Sequence, residues 1–102
     1  MQFHRLASLE EFYRISARGT AKFLLIYETG CPYCSLMGRE IEEYVSRTGS
    51  LEIYSLDVSE DPRVQELHLI GVPALLRIEA ATGKKALLVG ADRLAELESF
   101  LG

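Results

Sequence analysis

Residues 22–43 read KFLLIYETGCPYCSLMGREIEE, a stretch that pairs an apolar strand with a helix opening on two cysteines. Phe23 to Tyr27 are apolar at consecutive positions, the pattern of a strand buried on both faces in the middle of a sheet. A three-residue loop, Glu28-Thr29-Gly30, then leads to Cys31-Pro32-Tyr33-Cys34. At a strand-to-helix junction the first thiol meets the unpartnered N–H groups and positive dipole end of the helix, which favour a thiolate. The second lies one helical turn on, within reach of a disulfide. Pro32 suits the first helical position, because its fixed φ is helical and its missing N–H had no partner there. Cys31 and Cys34 therefore read as a redox pair.

The elements outside this stretch obey the same physics. Gln2–Leu6 is a weakly patterned edge strand. Ser8 and Glu11 fit a capping box, and Leu9, Phe12, Tyr13 and Ile15 recur at helical spacing until Gly19. The CxxC helix runs from Pro32 to about Arg47, with Leu36, Met37, Ile41, Tyr44 and Val45 on one face and Gly49 as its stop. Leu51–Val58 alternates as a strand. Asp61-Pro62 reads as N-cap and first position of a short helix to about Leu69, and nothing more is assigned to Asp61. Gly71-Val72-Pro73 breaks that helix and leads into a strand, Ala74–Glu79. Thr82-Gly83 turns the chain into Lys85–Val89, a hairpin. A last helix starts near Asp92, with Leu94, Leu97, Phe100 and Leu101 as its apolar side. Strand–helix–strand predicts a parallel pair with a right-handed crossover, and the hairpin adds an antiparallel pair.

Composition narrows the classes. The 102 residues, 48% hydrophobic, suit one domain spanning 1–102. Eleven basic against 15 acidic residues give a net charge of −4, which disfavours nucleic acid as a partner. No apolar run approaches the ~18 residues of a membrane span. Residues 1–21 show no signal peptide, which points to the cytoplasm, with the periplasm as the alternative. With one CxxC and only His4 and His68 to complete a tetrad, a zinc site is poorly supported, so no metal and no tightly bound cofactor are expected. His68 reads as covering the short helix, and Tyr44 and Tyr54 as near-core aromatics.

The order of elements, a CxxC opening the helix after the central strand, and Val72-Pro73 before the next-to-last strand resemble the thioredoxin superfamily over essentially the whole chain. The tetrad Cys-Pro-Tyr-Cys itself resembles the active site of dithiol glutaredoxins. The resemblance implies a three-layer α/β/α sandwich with a central mixed sheet of about four strands. It further implies a thiol–disulfide oxidoreductase with Cys31 as nucleophile, Cys34 as resolving thiol and Pro73 as a cis-proline. Pro32, Tyr33 and Val72 would then meet the substrate. Client proteins with disulfides, and a reductase or glutathione as electron donor, are the implied partners, and a monomer the implied state.

The departures are as informative. Gly30 stands where thioredoxin has a tryptophan, and Leu25 and Ser55 stand at the positions of its buried aspartate and lysine. That leaves Glu28 as the carboxylate nearest in sequence for proton transfer. The lysine with which glutaredoxins meet glutathione has no counterpart in Glu28-Thr29-Gly30, and the cations left for such a pocket are Arg39 and Arg93. Gly90-Ala91-Asp92 faintly echoes their glycine–acid element. The alternatives are thus a glutathione-dependent enzyme, with glutathione as co-substrate, and a non-catalytic adaptor of the same fold. An iron–sulfur cluster shared across a glutathione-bound dimer is a remoter reading.

Overall fold

Strand β2 (Lys22–Tyr27) lies at the centre of a five-stranded sheet and is buried from Lys22 to Ile26. The computed structural model describes residues 3–18, 22–48, 52–79, 82–90 and 94–101. Alternate side chains of β2 enter different cores, as the two-residue period of a strand requires. Leu24 and Ile26 pack with Leu9, Phe12, Leu56, Val64 and Leu76 on one face. Phe23 and Leu25 pack with Met37, Ile41, Leu75, Leu97 and Leu101 on the other. Because both faces are covered, the strand has no polar alternation, and each large apolar side chain so buried contributes about 1.5–3 kcal/mol.

In chain order the elements are β1 (His4–Arg5), α1 (Leu9–Ser16), β2, α2 (Pro32–Thr48), β3 (Ile53–Asp57), a 3-10 helix (Pro62–Leu67), β4 (Ala74–Ile78), β5 (Lys85–Val89) and α3 (Leu94–Leu101). The sheet order is β1-β3-β2-β4-β5. Strand β3 runs parallel to β1 and β2, with Leu25 opposite Ser55 and Tyr27 opposite Asp57. Strand β4 runs antiparallel to β2, with Ile26 opposite Ala74, and β5 completes the hairpin. Helix α1 and the 3-10 helix cover one face, and α2 and α3 the other, making the expected α/β/α sandwich.

Several expectations are corrected. The sheet has five strands, slightly more than the expected four or so, because His4–Arg5, within the expected edge segment Gln2–Leu6, pairs with β3. The short helix is 3-10 and ends at Leu67, not Leu69. Its N–H groups reach back three residues, from Val64 to Asp61 and from His68 to Gln65, and His68 closes it with a left-handed φ of 54°. The capping box is one residue wider than its sequence pattern implies. Ser8 Oγ accepts from the Glu11 N–H at 3.2 Å, but the Glu11 carboxylate accepts from the Ala7 N–H at 3.0 Å instead of closing on Ser8's own N–H. Asp61 does more than cap its own helix. One carboxylate oxygen accepts from the Arg63 N–H at 3.0 Å, and the other from the Leu9 N–H at 2.7 Å, at the start of α1. The stops at Gly19 and Gly49, the strand start at Leu51 and the helix start near Asp92 lie outside the described residues.

Candidate active site

Everything singled out by the CxxC converges on one margin of the sheet, at the C-terminal ends of β2 and β3 and the start of β4. The chain leaves β2 at Tyr27, whose carbonyl accepts from the Val58 N–H at 2.9 Å. It then turns through Glu28-Thr29-Gly30, with the Cys31 N–H donating to the Glu28 carbonyl at 3.1 Å. Gly30 adopts φ +86°, a conformation that strains any residue with a Cβ. A tryptophan here would strain this backbone, although the space around Gly30 is open.

Helix α2 begins directly after Cys31. Cys31 and Cys34 form a disulfide with their Cα atoms 5.3 Å apart. Cys31 is half-buried and Cys34 buried, so only the first is open to a partner. The Cys34 N–H, one of the N–H groups left over at the helix start, donates to Cys31 Sγ at 3.1 Å. In the reduced pair, that N–H and the dipole of a helix of 17 residues behind it would favour a thiolate at Cys31 over Cys34. Pro32 and Tyr33 lie on the outside, Tyr33 with 67% of its surface exposed.

Opposite, the Val72–Pro73 peptide bond is cis. Pro73 is buried at the head of β4, beside the end of β2, and its carbonyl accepts from the Gly90 N–H at 2.8 Å. Val72 is half-buried. A cavity of about 240 Å³ opens between Leu25, Tyr27, Glu28, Thr29 and the two cysteines. Leu25 lines it and is fully buried, so this chain presents an apolar wall where the resembling family has an acid. Glu28 is exposed at its rim. Arg39 lies well along α2, in a surface hollow with Glu42, Glu43 and Arg47. Arg93, Ala91 and Asp92 lie outside the described residues.

Sequence reasoning missed Asp57, the last residue of β3. Its carboxylate accepts the hydroxyl of Thr29, two residues before Cys31, and both the N–H and hydroxyl of Ser59 at 2.9 Å. The Thr29 hydrogen bond first, and the Ser59 N–H second, hold the Asp57 carboxyl at about 2, below its usual 3.8, against the opposing effect of burial. Asp57 thereby ties the loop that carries Cys31 to the neighbouring strand. The only hint in the sequence is an aspartate with a serine two residues later, a common turn pattern.

No family model and no curated protein sequence matches the chain. Solved structures do. It is similar to thioredoxin from Trypanosoma brucei brucei at 15% identity, covering 96% of this chain and 86% of that one, with a TM-score of 0.80. Against mitochondrial thioredoxin 3 from Saccharomyces cerevisiae, in its oxidised form, the identity is 20%, the coverage 97% and 92%, and the TM-score 0.82. Against thioredoxin of Malassezia sympodialis the figures are 22%, 98% and 88%, and 0.80. The fold is the thioredoxin fold.

Proposed function

We propose that the protein is a thiol–disulfide oxidoreductase acting on disulfides of other proteins. The observation that carries this is the Cys31–Cys34 pair at the start of α2, where the outer sulfur alone receives a helix N–H and the inner one is covered. In the reduced protein the Cys31 thiolate attacks a client disulfide. One client sulfur leaves as a thiolate, and the other joins Cys31 in a mixed disulfide. The Cys34 thiolate then attacks Cys31 Sγ, restoring the intramolecular disulfide and releasing the second client thiol. Two electrons have passed to the client, and a reductase or two equivalents of glutathione must return them. Run in reverse, the same steps oxidise a client dithiol. Tyr33, Pro32, Val72 and Pro73 frame the approach. The cavity beside the disulfide is lined by no lysine or arginine among the described residues, which favours a protein client over glutathione, whose carboxylates call for a cation.

The test is trapping. Cys31→Ser is expected to lose all disulfide exchange. Cys34→Ser is expected to accumulate a mixed disulfide with a disulfide-bonded client, seen as a mass adduct that reductant removes. Full turnover by Cys34→Ser would overturn the dithiol scheme. Equilibration in glutathione buffers then sets the direction, since a potential near about −270 mV marks a reductant and one of about −120 to −200 mV an oxidant or isomerase.

A further inference from the structure

Away from the sulfurs, where β2 begins and the β4–β5 hairpin turns, a cavity of about 560 Å³ lies between the hairpin and α3. That falls in the range of small-molecule pockets, roughly 300–1,000 Å³. It shares no lining residue with the cavity at the disulfide. Ala86, Leu88 and Phe100 form its apolar wall. Its polar wall is Arg77, which stands opposite Phe23 and Ala86 in the sheet. By the alternation of a strand, Arg77 shares the α3 face with Leu75.

Arg77 is short of partners. A guanidinium is a fork of N–H donors, and buried donors are normally paired. Among the described residues, Arg77 Nε is the one buried side-chain nitrogen or oxygen without a hydrogen-bond partner. Nη1 donates to the Phe100 carbonyl at 3.3 Å, and Nη2 lies 3.4 Å from a Glu79 carboxylate oxygen. Both are long beside the ~2.7–2.9 Å of a strong charge-assisted bond. The guanidinium rests over the Phe23 ring, 5.9 Å from its centre, which places it without satisfying a donor. With 31% of its side chain exposed, it can be reached from the cavity. A second cation, Lys84, stands at the rim, where the Glu79 N–H donates to the Lys84 carbonyl at 3.0 Å. Its ammonium makes no hydrogen bond or ion pair with another described residue. Glu79 and Glu96 also line the cavity, so one negative charge suits it and a second would be repelled.

We propose that this cavity binds a small monocarboxylate with an apolar body. The carboxylate displaces Glu79 from Arg77 and meets Lys84, while the body lies against Leu88 and Phe100. The site is independent of the oxidoreductase reading, since it uses neither cysteine nor any residue around them.

Binding can be read directly. The oxidised protein, labelled with nitrogen-15, is titrated at neutral pH and low salt with hexanoate and with hexanamide, which has the same shape without the charge. Hexanoate is expected to shift the amides of Ala86, Leu88 and Phe100 and to bind roughly tenfold tighter than hexanamide. Inorganic phosphate, largely a dianion, should bind more weakly than hexanoate. Lys84→Gln should weaken hexanoate roughly two- to fivefold. Glu79→Gln should act in the opposite sense and tighten it roughly two- to fivefold, because it removes the carboxylate that competes for Arg77. A purely structural Arg77, serving only the end of α3, would give no such gain. Both variants change exposed ends of the hairpin and leave the core alone. No saturable shift with hexanoate, equal binding of hexanamide or phosphate, shifts confined to other surfaces, or a Glu79→Gln variant that binds no tighter would each overturn the proposal.

Discussion

At the scale of single residues, the site depends on groups that never touch its sulfurs. Asp57 is buried, and its three hydrogen bonds are charge-assisted, so Asp57→Asn, which cannot accept from Thr29 and Ser59 in the same way, is expected to cost about 1–3 kcal/mol at neutral pH. The pH dependence has a definite sign. A carboxyl whose folded pKa is depressed adds stability above its unfolded pKa, and that stability is lost as pH falls toward the folded value. For Asp57 the window runs from 3.8 down to about 2. The wild type should therefore lose thermal stability across that window more steeply than Asp57→Asn, as circular dichroism melts would show. Parallel acid melts would remove Asp57 from this role. Cys31 and Cys34 are legible because their spacing and the strand before them carry the chemistry locally. Asp57 is not, since its meaning comes from Thr29, 28 residues away, and hydrogen bonds between distant residues leave no periodicity to read.

At the scale of elements, an apolar run, a helical period or a turn is sufficient where the segment is long enough to show it. The apolar run of β2, the α2 face through Met37 and Ile41, and the hairpin strand Lys85–Val89 stand where the residues put them. Less legible is the pairing of His4–Arg5, because two residues cannot show an alternation and only the neighbouring β3 defines them as a strand. The 3-10 geometry of the short helix is illegible for a similar reason. Its sequence supports either geometry, and nothing in a histidine announces the left-handed backbone with which His68 ends it. The joint that holds α1 to this helix is Asp61, which caps the 3-10 helix and also accepts the Leu9 N–H of α1, itself capped by Ser8. Asp61→Ala should therefore uncap the 3-10 helix and strand the Leu9 N–H, costing about 0.5–2 kcal/mol for the cap and about 1–3 kcal/mol for the unpaired donor. Hydrogen exchange should quicken at the Leu9 and Arg63 amides together. Faster exchange at Arg63 alone would mean that Asp61 serves only its own helix.

At the scale of the whole molecule, the sheet order makes the site possible. The loop after β2, the turn after β3 and the cis bond before β4 are far apart in sequence, and only a central strand with one parallel and one antiparallel neighbour brings all three to one margin. The same sheet has two lateral edges of unequal length. One, β1, is two residues long and carries Arg5, which gives a second molecule little to pair with. The other, β5, is five residues long, with Leu87 exposed and no strand beyond it among the described residues. Lys84 and Lys85 stand at its opening, Lys85 with its ammonium 4.3 Å from the centre of the Tyr13 ring. Lysines at a sheet edge disfavour strand addition, which makes these two the residues to test. Replacing both with serine should leave the fold intact but make concentrated solutions scatter light and bind amyloid dyes during storage, where the wild type stays clear. Equal clarity would show that the edge needs no guard. Loss of clarity in that variant would place the limit on concentrating this protein in the charge of one outer strand, on the far side of the sheet from β1.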